Sequence, residues 1–264
     1  MLPYVRLINA KHGNYLAFET DDYITLDLER TGEWEPFTLT VAEILLEKIE
    51  NPLVLDIGAN LGAFAIPIGK FIQRRNGEIY AFEPLRIIFY QLCGNIFMNQ
   101  LDNVFALNSA VSNTLQDILI PEPDFSKANN IGSFSLHPEY LTRYGMDRSI
   151  GEKSHSVKAI RLDDFNFPRL PSLIKIDVEG HELEVLQGAE NLLKRSNFPP
   201  ILFECWPWDF FAKKRESLMF EIHKLGYEVF EYWDTMFVAQ HPLWPNKYNF
   251  EWRDNVLFYV DSDI

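Results

Sequence analysis

The chain has 264 residues, of which 47% are hydrophobic, and it carries a formal net charge of -14 at pH 7. A chain of this kind can bury the core of one large domain. Its acidity argues against nucleic acid and other densely anionic partners, since phosphate binding depends largely on Lys and Arg. Two cysteines are too few for a disulfide framework or a zinc motif, so we expect a reduced, cytoplasmic setting. With no signal-like segment at the start and no apolar run as long as a membrane span, we expect a soluble protein.

Residues 1–50 are expected to form an N-terminal cap and a leading helix. Short β-like runs occupy residues 4–8 and 23–28, and apolar residues at helical spacing predict the helix over residues 38–49. The main domain is then expected to occupy residues 51–264.

The central motif runs from Leu53 to Ile72, LVLDIGANLGAFAIPIGKFI. Its first residues favour β structure without polar alternation, which predicts a strand covered on both faces of a parallel sheet. Gly58 and Gly62 then allow a sharp turn close to a bound molecule, and apolar residues at helical spacing predict the following helix. Pro67 lies inside that helix and should bend it.

The turn between strand and helix has the pattern D-x-G-x-N-x-G, not the G-x-G-x-x-G of dinucleotide enzymes. The second glycine of the latter lets the backbone approach a pyrophosphate, whereas Asn60 puts a side chain into that space. A ligand without a pyrophosphate therefore fits better. The alternative is a tight strand-to-helix turn that binds nothing.

Glu83 and Pro84 follow the second predicted strand. The acid lies about 20 residues beyond the glycine turn, the separation at which a carboxylate meets ribose hydroxyls in such folds. A carboxylate suits this role because it can accept from two hydroxyls, although a helix-capping acid is the alternative. Residues 108–111, with Ala110 as the cofactor-binding candidate, lie at the tip of the third predicted strand within reach of an adenine ring, but small residues are common at strand ends.

Residues 121–157 show no sustained periodicity and contain several prolines, serines and glycines. Loops of such length are usually functional or disordered, so we expect a partly ordered lid with some short secondary structure. Candidate substrate contacts in it are Asn130, Ser133, Tyr140 and His155, each of which is individually more often a bystander.

A second acidic turn follows the strand predicted over residues 172–176, in the sequence DVEGHELEVLQGAENLL. Asp177 would stand at the carboxyl end of that strand, beside the glycine turn. Glu182 and Glu184 fall in the first turn of the next helix, where the helix dipole favours acids. We therefore assign these two glutamates no chemistry.

Two further strands are predicted, over residues 157–165 and 200–205. The first ends in Asp163 and Asp164, whose side chains would point to opposite faces of a strand. These two acids therefore suit a turn or a cap better than a shared metal ion. The second strand ends at Glu204.

Residues 227–231 and 256–260 are predicted to complete the far side of the sheet. The aromatic-rich residues 233–252 between them suit a sugar-binding surface, a hydrophobic flap or a contact in a homo-oligomer. The alternation of strands and helices predicts a doubly wound, mostly parallel α/β sheet with helices on both faces and ligands at the carboxyl ends of its strands.

The motifs DIGANLG, AFEP, RLDDF and IKIDVEGHELEVLQGAE, in this order, make the chain resemble the FkbM family of S-adenosylmethionine-dependent methyltransferases over about residues 33–205. The resemblance implies a class I methyltransferase (Rossmann-like) fold, usually with a seven-stranded sheet and a reversed last strand. It also implies S-adenosylmethionine as cofactor and O-methylation of a sugar, glycan or small natural product. Residues 51–264 would then be the methyltransferase domain, with a lid insertion at about residues 121–157.

By motif matching, the resemblance assigns the first motif to the methionine portion of the cofactor, Glu83 to its ribose and Asp177 to the wall near the transferring methyl. Glu35 resembles an acid that often precedes the first motif. The full set of cofactor-binding candidates is Glu35, Asp56, Gly58, Ala59, Asn60, Gly62, Glu83, Pro84, Ala110 and Asp177.

A general base is expected among Asp177, Glu179 and His181. Histidine has a suitable pKa, and a carboxylate pair could raise one pKa towards neutrality, so the choice between Glu179 and His181 stays open, with Asp177 orienting. A magnesium-dependent version would use Asp177 with Glu179 or Glu204, but no third ligand is evident and no metal is assigned.

Two other classes of function compete with methyl transfer. One is a nucleotide-dependent oxidoreductase on a similar sheet, and the other is a non-catalytic carbohydrate-binding protein of the same fold. The asparagine in the glycine turn disfavours the first class, whereas the aromatic residues near the C-terminus motivate the second.

Overall fold

The computed structural model describes residues 4–19, 22–124, 135, 138–143, 150–254 and 256–261. The strands are β1 (Val5–Ala10), β2 (Gly13–Phe18), β3 (Leu53–Ile57), β4 (Glu78–Phe82), β5 (Val104–Leu107), β6 (Ser109–Val111), β7 (Gln116–Pro123), β8 (Ile150–Ile160), β9 (Leu173–Ile176), β10 (Ile201–Glu204), β11 (Glu228–Trp233), β12 (Met236–Gln240), β13 (Tyr248–Arg253) and β14 (Val256–Asp261). The α-helices are α1 (Tyr23–Arg30), α2 (Pro36–Leu46), α3 (Ala65–Gln73), α4 (Arg86–Met98), α5 (Pro138–Arg143), α6 (Glu182–Gln187), α7 (Glu190–Arg195) and α8 (Ala212–Lys224).

The main sheet has seven strands in the order β11-β12-β10-β9-β3-β4-β5. Strand β12 is antiparallel to both of its neighbours, and the other neighbouring pairs of this sheet are parallel. The strand order reverses between β3 and β9, and ligands of such sheets bind at the carboxyl ends beside the reversal. The predicted doubly wound class I fold, with its reversed last strand, is confirmed.

The centre of the sheet is covered on both faces, as the apolar run of β3 predicts. Val54 packs in a cluster with α2, α3 and α4, whereas Leu55 and Ile57 pack in a second cluster with α6, α7 and α8. Every residue of β3 is buried. This two-sided burial places the end of β3, and the turn after it, at the middle of the molecule.

The ends of β3 and β9 meet at very short range. The Asp177 N–H donates to the Ile57 carbonyl at 2.9 Å, and Gly58 lies so close to the Asp177 carbonyl oxygen that a Cβ would come within 1.8 Å of it. Only glycine permits this approach. The two turns that follow these strands therefore form one continuous surface.

The boundaries of the predicted lid are strands of a second, smaller sheet. This sheet has the order β6-β8-β7, so β7 and β8 extend into the segment for which an irregular lid is expected. The short helix α5 lies between them in sequence. Asn130 and Ser133 lie outside the described residues.

Two predicted elements are wrong, and a third is a strand with other bounds. Residues 23–28 belong to α1 and not to a strand, because the Asp22 side chain caps this helix by accepting from the Thr25 N–H at 2.9 Å. The far side of the main sheet is completed by β12, whereas residues 256–260 pair with β13 in a separate hairpin. The strand expected over residues 157–165 is β8, which ends before Asp163.

Asp163 caps a helix end, in agreement with its predicted role. It lies in a short 3-10 turn, and its carboxylate accepts from the Leu192 N–H at 2.7 Å in the first turn of α7. The single helix expected after the second acidic turn is two helices, α6 and α7. They separate at Gly188, which packs against the Ser112 carbonyl more closely than a Cβ would allow.

Pro67 does not interrupt its helix. Because α3 begins at Ala65, the proline lies in the first turn, where a missing N–H costs little. The expected bend is therefore not required. Among the described residues, no helix is both long and apolar enough to cross a membrane.

Replacing Gly58 with alanine should destabilise the fold severely. The new Cβ would collide with the Asp177 carbonyl, and Gly58 has a φ of +85°, which residues with a side chain rarely adopt. We expect the free energy of unfolding, measured in urea, to fall by at least about 2 kcal/mol.

Gly94→Ala is the matched control for this experiment. Gly94 lies within α4, where a Cβ would meet only the end of the Leu16 side chain at 3.3 Å. Alanine is favoured over glycine in a helix by roughly 0.5–1 kcal/mol, so this variant should be about as stable as the wild type. Equal stability of the two variants would contradict the contact between the turns.

Candidate active site

A cavity of about 510 Å³ opens at the carboxyl ends of the central strands, a volume typical of ligand sites. Most of the residues singled out from the sequence line it, namely Glu35, Gly58, Ala59, Asn60, Glu83, Pro84, Asp177 and Glu179. In the part of the chain that the structure describes, Asp56, Gly62, Ala110 and His181 are not among the lining residues. The cavity therefore joins the glycine turn after β3 to the acidic turn after β9.

The residue types of the glycine turn follow from its backbone. Gly58, Asn60 and Gly62 have φ values of 85°, 52° and 97°, in the left-handed region that glycine and asparagine tolerate best. Each backbone N–H from residue 58 to 62 already has an intramolecular acceptor. These acceptors are, in order, the Phe82 carbonyl for the first two, a Glu83 carboxylate oxygen, the Asn60 side chain and the Ala59 carbonyl.

Because those N–H groups are engaged, the turn offers none of them to a pyrophosphate. A dinucleotide site depends on such groups and on a helix N-terminus. This arrangement therefore argues against the nucleotide-dependent oxidoreductase.

Glu83 is held at the tip of β4 with only 5% of its surface exposed. One carboxylate oxygen accepts from the Asn60 N–H at 2.9 Å and the other from the Leu85 N–H at 2.8 Å. Burial raises the pKa of this carboxyl to about 7, although the two backbone hydrogen bonds oppose the rise. Each oxygen keeps a further lone pair, so the ionised group can still accept from two ligand hydroxyls.

The third strand tip supports the Glu83 loop. The Asn108 side-chain amide donates to the carbonyls of Glu83 and Pro84, at 2.8 and 3.1 Å. His155 contacts the same loop, with its Nε2 atom 3.2 Å from the Pro84 carbonyl. Asn108 and His155 therefore support the Glu83 loop, which forms part of the cavity wall, without lining the cavity themselves.

A buried lysine underlies the floor of the cavity. The Nζ atom of Lys175 lies 3.0 Å from a carboxylate oxygen of Asp177 and 3.7 Å from one of Asp56. Burial alone would lower the pKa of Lys175, but the carboxylates of Asp177, Asp56 and Glu35 outweigh it and raise that pKa. The lysine is therefore protonated, and it holds Asp177 in place.

Asp56 and Glu35 are acids of the same cluster. Asp56 is fully buried, and burial raises its pKa to about 6 against the opposing charge of Lys175. Glu35 is the N-cap residue of α2, and its side chain accepts from the Thr38 hydroxyl at 3.0 Å. Burial, and then the charge of Asp177, raise the pKa of Glu35 to about 7.

The acidic turn is tied together by Glu182, to which the sequence assigned no chemistry. This side chain is 2% exposed and accepts from the backbone N–H groups of Val178 and Gly180, at 3.2 and 3.1 Å. Glu179, in contrast, lines the cavity and has a φ of 54°. His181 is the cap residue of α6.

The other half of the cavity was not predicted as a unit. It is lined by Tyr140, Glu204, Trp206, Trp208, Trp233, Asp234, Thr235 and Met236. The rings of Tyr140 and Trp206 stack with centroids 4.5 Å apart, and the Trp206 and Trp208 centroids are 5.1 Å apart. The available signal was the sequence ECWPW directly after a predicted strand, where acids and aromatic residues fall at the ligand-binding edge of the sheet.

Glu204 is the last residue of β10 and an acid of this second half. The Thr235 hydroxyl donates to its Oε1 atom at 3.3 Å, while its buried Oε2 atom has no hydrogen-bond partner among the described residues. Burial and then the charges of Glu179 and Asp177 raise the pKa of Glu204 well above its usual range. Within the described ranges, no group of three or more His, Cys, Asp or Glu side chains is arranged to hold a metal ion.

Known proteins resemble the chain over this region. The methyltransferase FkbM domain model matches residues 56–237. Hexuronic acid methyltransferase AglP of Haloferax volcanii is 31% identical over 163 residues, covering 60% of this chain and 59% of that protein. Methyltransferase sdnD of Sordaria araneosa is 30% identical over 162 residues, covering 53% of this chain and 61% of that protein.

One similar solved structure is the methyltransferase FkbM from Methylobacillus flagellatus, with 16% identity and a TM-score of 0.44 over 72% of this chain and 44% of that one. The chain spans about 60% of the length of the two curated relatives described.

The burial of Glu182 predicts an unusual pH dependence of stability. Burial raises the pKa of this carboxyl from 4.5 to about 7, so the folded state binds the proton more tightly than the unfolded state does. Acidification from pH 8 to pH 5 should therefore add of the order of 1–3 kcal/mol to the free energy of unfolding through this group. The Glu182→Gln variant should lack that contribution and be at least as stable as the wild type at pH 8.

Urea unfolding of both proteins at pH 5 and pH 8 measures this difference. Glu190→Gln serves as the control, because it removes only an exposed ion pair with Lys194 and should change the free energy of unfolding by less than about 0.5 kcal/mol. The same pH dependence in the Glu182→Gln variant and the wild type would contradict the assignment.

Proposed function

The chain belongs to the FkbM methyltransferase domain family, and on this premise we propose that it transfers a methyl group from S-adenosylmethionine to a hydroxyl of a sugar or glycan. The observation that carries the proposal is the single cavity that joins the glycine turn, Glu83 and Asp177 to a wall of aromatic and acidic side chains. The name of the Haloferax relative, a hexuronic acid methyltransferase, supports a sugar as the class of acceptor.

The half of the cavity beside β3 and β4 fits the methyl donor. Glu83 has lone pairs for the ribose hydroxyls, and the glycine turn presents backbone without a Cβ at residue 58. The carboxylates of Glu35 and Asp177 suit the positive amino and sulfonium groups of the donor. When bound, the donor supplies a methyl group that its sulfonium has already activated.

The protein's remaining task is to position the acceptor and remove its proton. Holding the reacting groups in line can contribute on the order of 7–11 kcal/mol. Glu179 is the better candidate for the general base, because it lines the cavity, whereas His181 is not among the described lining residues. Asp177 orients the site through its ion pair with Lys175.

A thermal-shift experiment tests the donor site. S-Adenosylhomocysteine, which binds only the native state, should raise the melting temperature by roughly 5 °C or more near saturation, and NAD should not. Glu83→Gln should abolish most of this shift, since an amide has one acceptor oxygen in place of two. The effect in the wild type should also weaken below pH 7, as the Glu83 carboxyl becomes protonated.

Glu78→Gln is the matched control, because Glu78 lies at the opposite end of β4, where it pairs with Arg169. This variant should show the full shift. A larger shift with NAD than with S-adenosylhomocysteine would refute the proposed donor.

Kinetics with saturating donor test the proposed base. Glu179→Gln should lower kcat by roughly 10²–10⁴-fold without changing the thermal shift, because the substitution removes a proton acceptor and leaves the donor site intact. His181→Ala should lower kcat less than tenfold. The reverse order of the two effects would make His181 the base.

A further inference from the structure

The proposed function does not specify the charge of the sugar acceptor. The charged side chains that line the cavity restrict that charge. Its charged lining residues among those described are the acids Asp27, Glu35, Glu83, Asp177, Glu179, Glu204 and Asp234 and one base, Lys175. The Lys175 ammonium lies between Asp56 and Asp177. The carboxylate of an acidic acceptor entering the cavity would therefore find the Lys175 ammonium already neutralised by these two side chains.

We infer that the acceptor is a sugar that carries no negative charge, either neutral or amino-substituted, and that the cavity discriminates against uronic acids. This inference rests on the proposed methyl transfer to a sugar hydroxyl. It is drawn from the part of the cavity beside β10 and β12, which we call the acceptor half, with Glu179, Glu204, Trp206, Trp208 and Asp234 along its wall.

The aromatic wall fits the ring of a sugar. Trp206 is almost fully buried and packs against the rings of Tyr140 and Trp208, while Trp233 is 47% exposed at the outer edge. Such rings offer rigid apolar faces at a low cost in conformational entropy. The C–H face of a sugar ring is their natural complement.

The polar groups beside this wall call for hydrogen-bond donors. The Oε2 atom of Glu204 is buried and has no partner among the described residues, and an unpaired buried acceptor is costly. Hydroxyl and ammonium groups can donate to this oxygen. A sugar hydroxyl can both donate and accept, so it fits this oxygen in either protonation state of Glu204, whereas a carboxylate could only accept a hydrogen bond from it.

The same surroundings already disfavour negative charge. Burial first, and then the charges of Glu179 and Asp177, raise the pKa of the Glu204 carboxyl well above its usual range. The carboxylate of a uronic acid placed beside Glu204 would meet the same two effects. The electrostatics of the site therefore oppose a carboxylate beside Glu204 and not an uncharged group.

Two arginines lie near the wall, where each contacts one of its tryptophans. Arg143 stacks on the Trp208 ring, with its guanidinium 5.2 Å from the ring centroid, and Arg215 donates to the Trp206 carbonyl at 3.0 Å. Neither arginine is a lining residue. Their contacts stabilise the tryptophans and leave the charge balance of the lining negative.

Matched sugar pairs test the inference with the full chain and S-adenosylmethionine. Each pair consists of a methyl glycoside with a hydroxymethyl group and the corresponding methyl glycosiduronic acid, in the gluco, galacto and manno series. Where methyl transfer occurs, kcat/KM should favour the neutral member by at least about tenfold. Equal or higher kcat/KM for the uronic acid would overturn the inference and leave the proposed methyltransferase function standing.

A charge-removal variant sharpens the comparison. Asp234→Asn removes one of the lining charges and keeps the shape of the cavity, and asparagine tolerates the φ of 41° at residue 234. The ratio of kcat/KM values should move about threefold or more towards the uronic acid. The control is Asp209→Asn, which removes an exposed acid outside the described lining and should leave the ratio unchanged.

A different result would show that the proposed function itself is wrong. If no sugar of either charge is methylated although S-adenosylhomocysteine still raises the melting temperature, sugar O-methylation is wrong and the inference falls with it. An unchanged ratio in the charge-removal variant would also overturn the electrostatic basis of the inference.

Discussion

The geometry of the site depends on one buried ammonium group. Lys175 and Asp56 are opposite each other in the register of the two central strands, and the same ammonium binds Asp177 at 3.0 Å. Removing one partner of a buried ion pair leaves an uncompensated charge in a medium of low polarity. This pairing therefore fixes the ends of β3 and β9 relative to each other. Gly58 then lies against the Asp177 carbonyl, and the cavity opens above the two turns.

The two halves of the cavity differ in how their polar groups are satisfied. Beside the glycine turn, hydrogen bonds within the protein complete the backbone and hold the Glu83 carboxylate in a fixed position. Such a preorganised site suits one invariant ligand. Beside β10 and β12, an acceptor oxygen of Glu204 is left unpaired among rigid tryptophan rings. A hydroxyl of the bound substrate can supply the missing hydrogen-bond donor. This difference between the two halves is expected of an enzyme that binds a common methyl donor and a particular methyl acceptor.

The sequence predicted the lining of the cavity beside β3 and β4 far better than that of the acceptor half, for a physical reason. An unalternating apolar strand, three left-handed turn residues and a distant acid are local patterns, and they identified β3, the glycine turn and Glu83. The acceptor wall is assembled from Tyr140, Glu204 and residues 206–208 and 233–236, which only the tertiary fold brings together. The helix at residues 23–30 was missed because its β-branched residues outweighed a capping signal from Asp22. Lys175 could have been recognised from the sequence as the single charge in the apolar run LIKI. A lysine buried in such a strand needs a partner of opposite charge.

The most direct test of the account is a crystal structure of the protein with S-adenosylhomocysteine at pH 8, where the Glu83 carboxyl is ionised. We predict that the ribose hydroxyls lie within about 3.2 Å of the Glu83 carboxylate oxygens. The methionine portion should lie along residues 58–60, and the sulfur should face Glu179 and Glu204. A molecule bound elsewhere, or a ribose without contact to Glu83, would contradict the account.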